Sequence, residues 1–164
     1  MSEIDKKQVI DLLNRILESE LAGVIRYTHY SFLVYWYNRI PIVSWLREQA
    51  AESQRHAELA GEMVTHLGAY PSLGIGRLLD SHQHDIGKIL VESMEHESAA
   101  LVLYKRLLAA VEGRSVMLEE YARQMVSCRG AARRRSGQDA EKAGGDQHQR
   151  TWAKDALAGL TKRY

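Results

Sequence analysis

Gly68–Ser81 reads GAYPSLGIGRLLDS, a glycine- and proline-rich stretch set between long amphipathic patterns. Its 14 residues reach up to ~45 Å when extended, the full length of a helical bundle. Upstream, Val9, Leu13, Leu17, Leu21, Val24 and Tyr27 recur at the spacing of one helix face, which predicts a first helix from Ile4 to about Asn38. Pro41 then marks a short turn, because proline disfavours helix at the residue before it and is tolerated at the start of the next. A second helix is predicted from about Ile42 to Leu67, ending at Gly68. Downstream, Ile86, Leu90, Leu101, Tyr104, Leu108 and Val111 predict a third helix from about His84 to Glu112. After the turn EGRS, a fourth begins at Ser115 with Leu118, Ala122 and Met125 on one side. Two helical hairpins joined by one long crossover predict an all-α four-helix bundle.

Composition sets the outer limits. The chain has 164 residues, 45% of them hydrophobic, and two prolines, enough for about one domain with a substantial core. One cysteine, Cys128, excludes an internal disulfide framework and suits a reducing compartment. No apolar run approaches a membrane span, and the polar start MSEIDKK lacks the apolar core of a signal peptide. The expected location is the cytoplasm, with no membrane partner. A net charge of +1 conceals a division at Cys128: residues 1–128 hold 13 basic and 17 acidic side chains, whereas residues 129–164 hold 9 and 4. The expected domains are accordingly a helical bundle over 1–128 and a basic tail over 129–164.

Three helices carry polar groups where apolar ones belong. Glu20 stands in the stripe formed by Leu13, Leu17, Val24 and Tyr27. Glu97 is flanked on its face by Leu90, Leu101, Tyr104 and Leu108, while Glu95 shares its face with Lys88 and Arg106. On the second helix His56 lies on the inward stripe with Leu46, Ser53, Ala60 and Met63, and Glu52 is one turn earlier. A buried carboxylate must be paired, protonated or bound to a metal. Carboxylates with imidazole suit iron or manganese better than a thiolate-loving ion.

These segments resemble a known family. LNRILESELAGVIRY (13–27), ESQRHAELAGEMVTHLGAYPSL (52–73) and EHESAALVLYKRLL (95–108) are similar, in order and spacing, to the ligand-bearing segments of bacterioferritin-type members of the ferritin-like di-iron superfamily. The resemblance covers residues 8–126. It implies a ferritin-like bundle, with the fourth helix truncated or altered, in a homo-oligomer built as a shell or from dimers. It also implies a ferroxidase and iron store: Fe²⁺ held between the helices, oxidised by O₂ or peroxide, and the ferric product kept in a hollow shell. Glu20 and Glu97 would be the terminal carboxylates, Glu52 the bridging candidate and His56 the nitrogen ligand, with Tyr27, the neighbouring aromatic, as the catalytic residue. Two departures count against a full site. Ser53 stands where the family has its bridging Glu, and Gln54 stands at the haem-binding Met, so haem is not expected.

The family's fourth helix should add a second Glu-x-x-His some 30 residues after Glu97. VSCRGAARRRSGQDAEK (126–142) stands there instead. Codons chosen for Arg129–Lys142 and read one base out of register can spell Glu-Glu-Leu-His followed by Ala-Gly-Glu-Val, which restores the motif at positions 129 and 132. The chain from about Ser127 therefore reads as an out-of-frame product of a ferritin-like gene, with at best a half-occupied site. The alternative is a non-catalytic helical subunit or scaffold whose polar core is metal-free. Nucleic-acid binding through the tail is disfavoured, since ARRRSG supplies charge without aromatic interleaving.

Other residues carry structural expectations. Ser81 is expected to cap the third helix, which places His82, His84 and Asp85 at its start rather than on a metal. His66 and His96 read as surface or interface residues. YSFLVYWYN (30–38) puts aromatics on more than one face, which predicts a subunit contact.

Overall fold

The computed structural model describes residues 4–35, 39–78, 82 and 85–143, with side chains described as far as Gly130. Four helices follow in order: α1 Lys6–Leu33, α2 Arg39–His66, α3 Ile86–Val111 and α4 Val116–Ala143. No strand occurs among the described residues. None of the described helices is long and apolar enough to cross a membrane.

Local chemistry sets the helix ends. Asp5 caps α1 by accepting the Gln8 amide at 3.0 Å. Asp85 caps α3, because its carboxylate reaches the Lys88 amide at 2.9 Å; Ser81, the expected cap, and His84 lie outside the described residues. His82 stands beside His29, with Nδ1 and Nε2 3.1 Å apart. α1 ends at Leu33, short of the expected Asn38, since Val34 turns extended and its carbonyl accepts from the Arg39 side chain at 3.2 Å. Pro41 sits in the first turn of α2, where no intrahelical N–H is required. Gly68 and Gly113 adopt φ of +73° and +69°, the left-handed conformation that closes a helix and that glycine adopts without a Cβ penalty.

α1 packs against α2 and α3, and α3 packs against α4. The crossover runs along α1 rather than away from it. The Ser72 amide donates to Asn14 Oδ1 at 2.8 Å, and the Gly76 amide to the Glu18 carbonyl at 2.8 Å. α4 passes through the compositional division at Cys128 without a break.

The core falls into two apolar clusters. One gathers Leu13, Ile16 and Leu17 with Val64, Leu107, Leu118 and Met125. The other joins Tyr27, Tyr30 and Val34 to Val43, Leu46 and Ile89. Each fully buried aliphatic side chain contributes ~1.5–3 kcal/mol. Between the clusters in α1, α2 and α3 lies a polar stretch: Glu20 on α1, Ser53 and His56 on α2, Ser93, His96 and Glu97 on α3. That layer is where the fold places its chemistry.

Candidate functional site: a buried carboxylate pair and its arginine

Glu20 is fully buried and Glu97 is 6% exposed, whereas Glu95 is open to solvent. The stripe argument therefore separates the two α3 carboxylates as they lie in the fold. Glu20 Oε1 accepts from the Tyr104 hydroxyl at 2.9 Å, and Glu97 Oε1 from the Tyr27 hydroxyl at 2.5 Å. Their remaining oxygens converge on one group, the guanidinium of Arg129. Its Nη2 donates to Glu20 Oε2 and its Nη1 to Glu97 Oε2. Arg129 is 2% exposed, among the largest fully buried side chains in the protein.

The geometry follows from helix periodicity. Arg129 lies four, seven and eleven residues after Met125, Ala122 and Leu118, which are all buried on α4. Continuing that stripe by one turn carries position 129 inward. An Arg on such a stripe is tolerable only with carboxylate partners, and its fork offers two parallel N–H groups to two acceptors.

His56 completes the cluster on the α2 side. Its Nδ1 is 3.7 Å from Glu20 Oε1, and its Nε2 is 3.9 Å from Glu52 Oε1 one turn back. These are contacts rather than hydrogen bonds, and Nδ1 is buried with no partner. The fold thus brings Glu20 and Glu97 together on Arg129, with His56 in contact with Glu20. Glu52 stands at the margin, 26% exposed.

Charge and burial act unequally on these groups. Burial raises the Glu20 pKa above the usual carboxylate value, a rise that Arg129 opposes without cancelling. Burial also penalises the Glu97 charge, but the attraction of Arg129 and the Tyr27 hydrogen bond outweigh it, so Glu97 lies lower. Of the pair, Glu20 is the first to take a proton. Burial pushes the Tyr27 and Tyr104 hydroxyls well up, so both remain donors. His56 is pushed down to about 4 by burial, aided by repulsion from Arg129, and is neutral near pH 7.

A second imidazole belongs to this layer, which corrects the expectation that His96 faces the surface or an interface. It is 9% exposed, packed edge-on against Tyr27 with ring centroids 6.0 Å apart. Gly23 makes this possible: a Cβ there would come within 2.9 Å of His96 Nε2 and 2.7 Å of Ser53 Oγ. Periodicity missed His96 because the room it occupies is created by a residue on another helix. His66 is exposed, as expected.

Arg129 and Tyr104 were the functional neighbours that sequence reasoning did not identify. The inward stripe of α4 signalled position 129 as a ligand position, and the signal lay in reading its actual occupant as a cation. Against a di-iron centre the residues present do not fit. Arg129 stands where α4 would supply a carboxylate, Ser53 where α2 would supply another, and all four oxygens of Glu20 and Glu97 are engaged by Tyr or Arg donors. Among the described residues, no group of three or more His, Cys, Asp or Glu side chains converges closely enough to hold an ion.

Comparison with known proteins agrees with the architecture. A bacterioferritin-related protein from Bacteroides fragilis, described as a dodecameric thioferritin, superimposes with a TM-score of 0.71 at 17% identity, over 98% of this chain and 90% of that one. A ferritin-like di-iron-carboxylate protein from Bacillus anthracis gives a TM-score of 0.77 at 20% identity, over 84% of this chain and 98% of that one. The bacterioferritin of Desulfovibrio desulfuricans gives 0.73 at 19%, over 90% and 87%. At such identities the likeness is one of fold. None of the curated proteins matches the chain in sequence. Residues 10–126, well over half of the chain, match the Ferritin family model, described as a ferritin-like domain. Sequence pattern, crossover topology and that match agree: the chain belongs to the ferritin-like domain family.

Proposed function

We propose that this chain is an iron-handling subunit of a ferritin-type homo-oligomer, in which Glu20, Glu52, His56 and Glu97 are the Fe²⁺-binding residues and Arg129 keeps them in an ion-free state. Oxidation of Fe²⁺ by O₂ or peroxide is then strongly reduced. The observation that carries this reading is the convergence of two buried carboxylates, from α1 and α3, on a single cation position beside His56. A guanidinium and a metal ion answer the same electrostatic need there, since a buried carboxylate is costly without a counter-charge. Tyr27, hydrogen-bonded to Glu97, holds that carboxylate in place. Assembly is supported by large apolar side chains left open around the α1–α2 turn, with Phe32 59%, Tyr35 58% and Ile40 82% exposed. Trp36 and Tyr37, part of the expected subunit contact, lie outside the described residues.

Iron counted per chain after aerobic loading, with ferric absorbance followed over time, tests the proposal. The expected result is substoichiometric iron and slow oxidation in the native chain, with both rising in an Arg129→Glu variant. A native chain that fills with two ions per subunit removes the role given to Arg129. An Arg129→Glu variant that folds yet takes up no iron removes the iron-binding role of the four residues.

The satisfied state of Glu20 and Glu97 also favours the rival reading, a non-catalytic subunit with a metal-free polar core. That reading predicts no iron binding in either chain while assembly is unaffected. The out-of-frame origin of the residues from about Ser127 is a separate proposal. The nucleotide sequence of the gene tests it, and an intact relative whose own chain carries RGAARRR at this point overturns it.

A further inference from the structure

Outside the carboxylate layer, α1, α3 and the crossover enclose a groove of about 450 Å³ lined by Arg15, Arg26, Arg77 and Arg106, with Glu18 and Glu95 as its acidic members. Arg15 and Arg26 lie on α1 and Arg106 on α3, and these three make no ion pair among the described residues. The groove's four arginines outnumber its two carboxylates, of which Glu18 accepts the Ser72 hydroxyl at 2.5 Å. The Nε of Arg26 is buried and has no hydrogen-bond partner, and neither has Nε2 of His96 on the inner wall.

A buried guanidinium N–H without an acceptor is unfavourable, and like charges gathered in one concavity repel each other. Both costs are relieved by one kind of ligand, a compact anion with acceptor oxygens on every side. We propose that this groove binds a small, free phosphate-type dianion. The guanidinium fork matches a tetrahedral oxyanion through paired N–H groups, and three forks without an ion pair line the groove. Size argues for a free ion: a flat anionic surface spanning the rim does not reach the buried Nε of Arg26, whereas an ion small enough to enter does.

Calorimetric titration of the assembled, iron-free, full-length protein with inorganic phosphate at low ionic strength tests the assignment. Saturable binding of one phosphate per chain is expected, weakened at least about tenfold by Arg26→Gln and by Arg15→Gln. Arg15 is exposed, so its replacement reads the site without disturbing the packing. Arg47→Gln, on α2 at the edge of a different groove, should leave the affinity unchanged. Absence of saturable heat overturns the proposal. So does an equal loss in Arg47→Gln, which would mean diffuse surface attraction. Sedimentation with phosphatidic-acid vesicles is expected to be negative, and co-sedimentation that depends on Arg15 and Arg26 would reassign the groove to a lipid headgroup and overturn the free-ion commitment.

Discussion

Replacing Arg129 by Met removes the cation while keeping a long apolar stem on the inward stripe of α4. Glu20 and Glu97 then face each other in a buried layer, each left with one tyrosine hydroxyl. Breaking a buried ion pair from one side costs about 3–5 kcal/mol, because an uncompensated charge remains. For a domain of this size that lowers the melting temperature by roughly 6–20 °C. The loss should be recoverable by a divalent cation, since an ion that binds only the folded state at a hundred times its Kd restores about 2.7 kcal/mol. Calorimetry under anaerobic conditions, with Fe²⁺ or with chelator, gives the comparison. The native chain should melt at the same temperature in both, while Arg129→Met melts lower with chelator and recovers with Fe²⁺. Arg129→Lys should fall between, because one ammonium does not reproduce two parallel N–H groups. An Arg129→Met variant as stable as the native chain, or a native chain that gains as much from Fe²⁺ as the variant does, refutes the view that the guanidinium holds the ion's position.

Acid should weaken the fold above the carboxylate range. His56 and His96 both lie at about 4, against an ordinary 6.5. From pH 6.5 down to 4 the unfolded chain therefore binds more protons than the folded one, and stability falls as the pH drops, by up to about 2 kcal/mol per histidine at pH 5. Urea midpoints at pH 7 and pH 5 read this directly, and a midpoint that stays flat contradicts it. Tyr104→Phe deletes the 2.9 Å bond to Glu20 Oε1 and should cost about 1–3 kcal/mol by leaving a buried acceptor underused; a loss within the error of a denaturant curve counts against it. Gly76→Ala should release the crossover from α1, because the added Cβ would meet the backbone oxygen of Glu18 at 2.9 Å, an atom that cannot turn aside. The expected cost is about 1–3 kcal/mol, with faster hydrogen exchange at residues 72–78.

Local pattern made much of this protein legible before any coordinates. Helix identity, the hairpin pairing and the long crossover follow from apolar spacing, Gly68, Pro41 and the turn after Val111, all of them properties of neighbours in the chain. The same spacing separated Glu97 from Glu95 and placed Glu20 and His56 inside, because a helix face is determined by position modulo 3.6 residues. Periodicity even pointed inward at position 129, four residues beyond Met125.

Only the tertiary structure decided what meets what within the layer. Arg129 and Glu20 are 109 residues apart in sequence, and no local signal says that an arginine on α4 will reach carboxylates on α1 and α3 at once. His96 became a buried residue because Gly23, on a different helix, leaves the space for it. A sequence records which side chains face inward, since that depends on the pitch of one helix. Which charges neutralise one another depends on the depth and rotation at which separate helices pack, and those are properties of the assembled bundle alone.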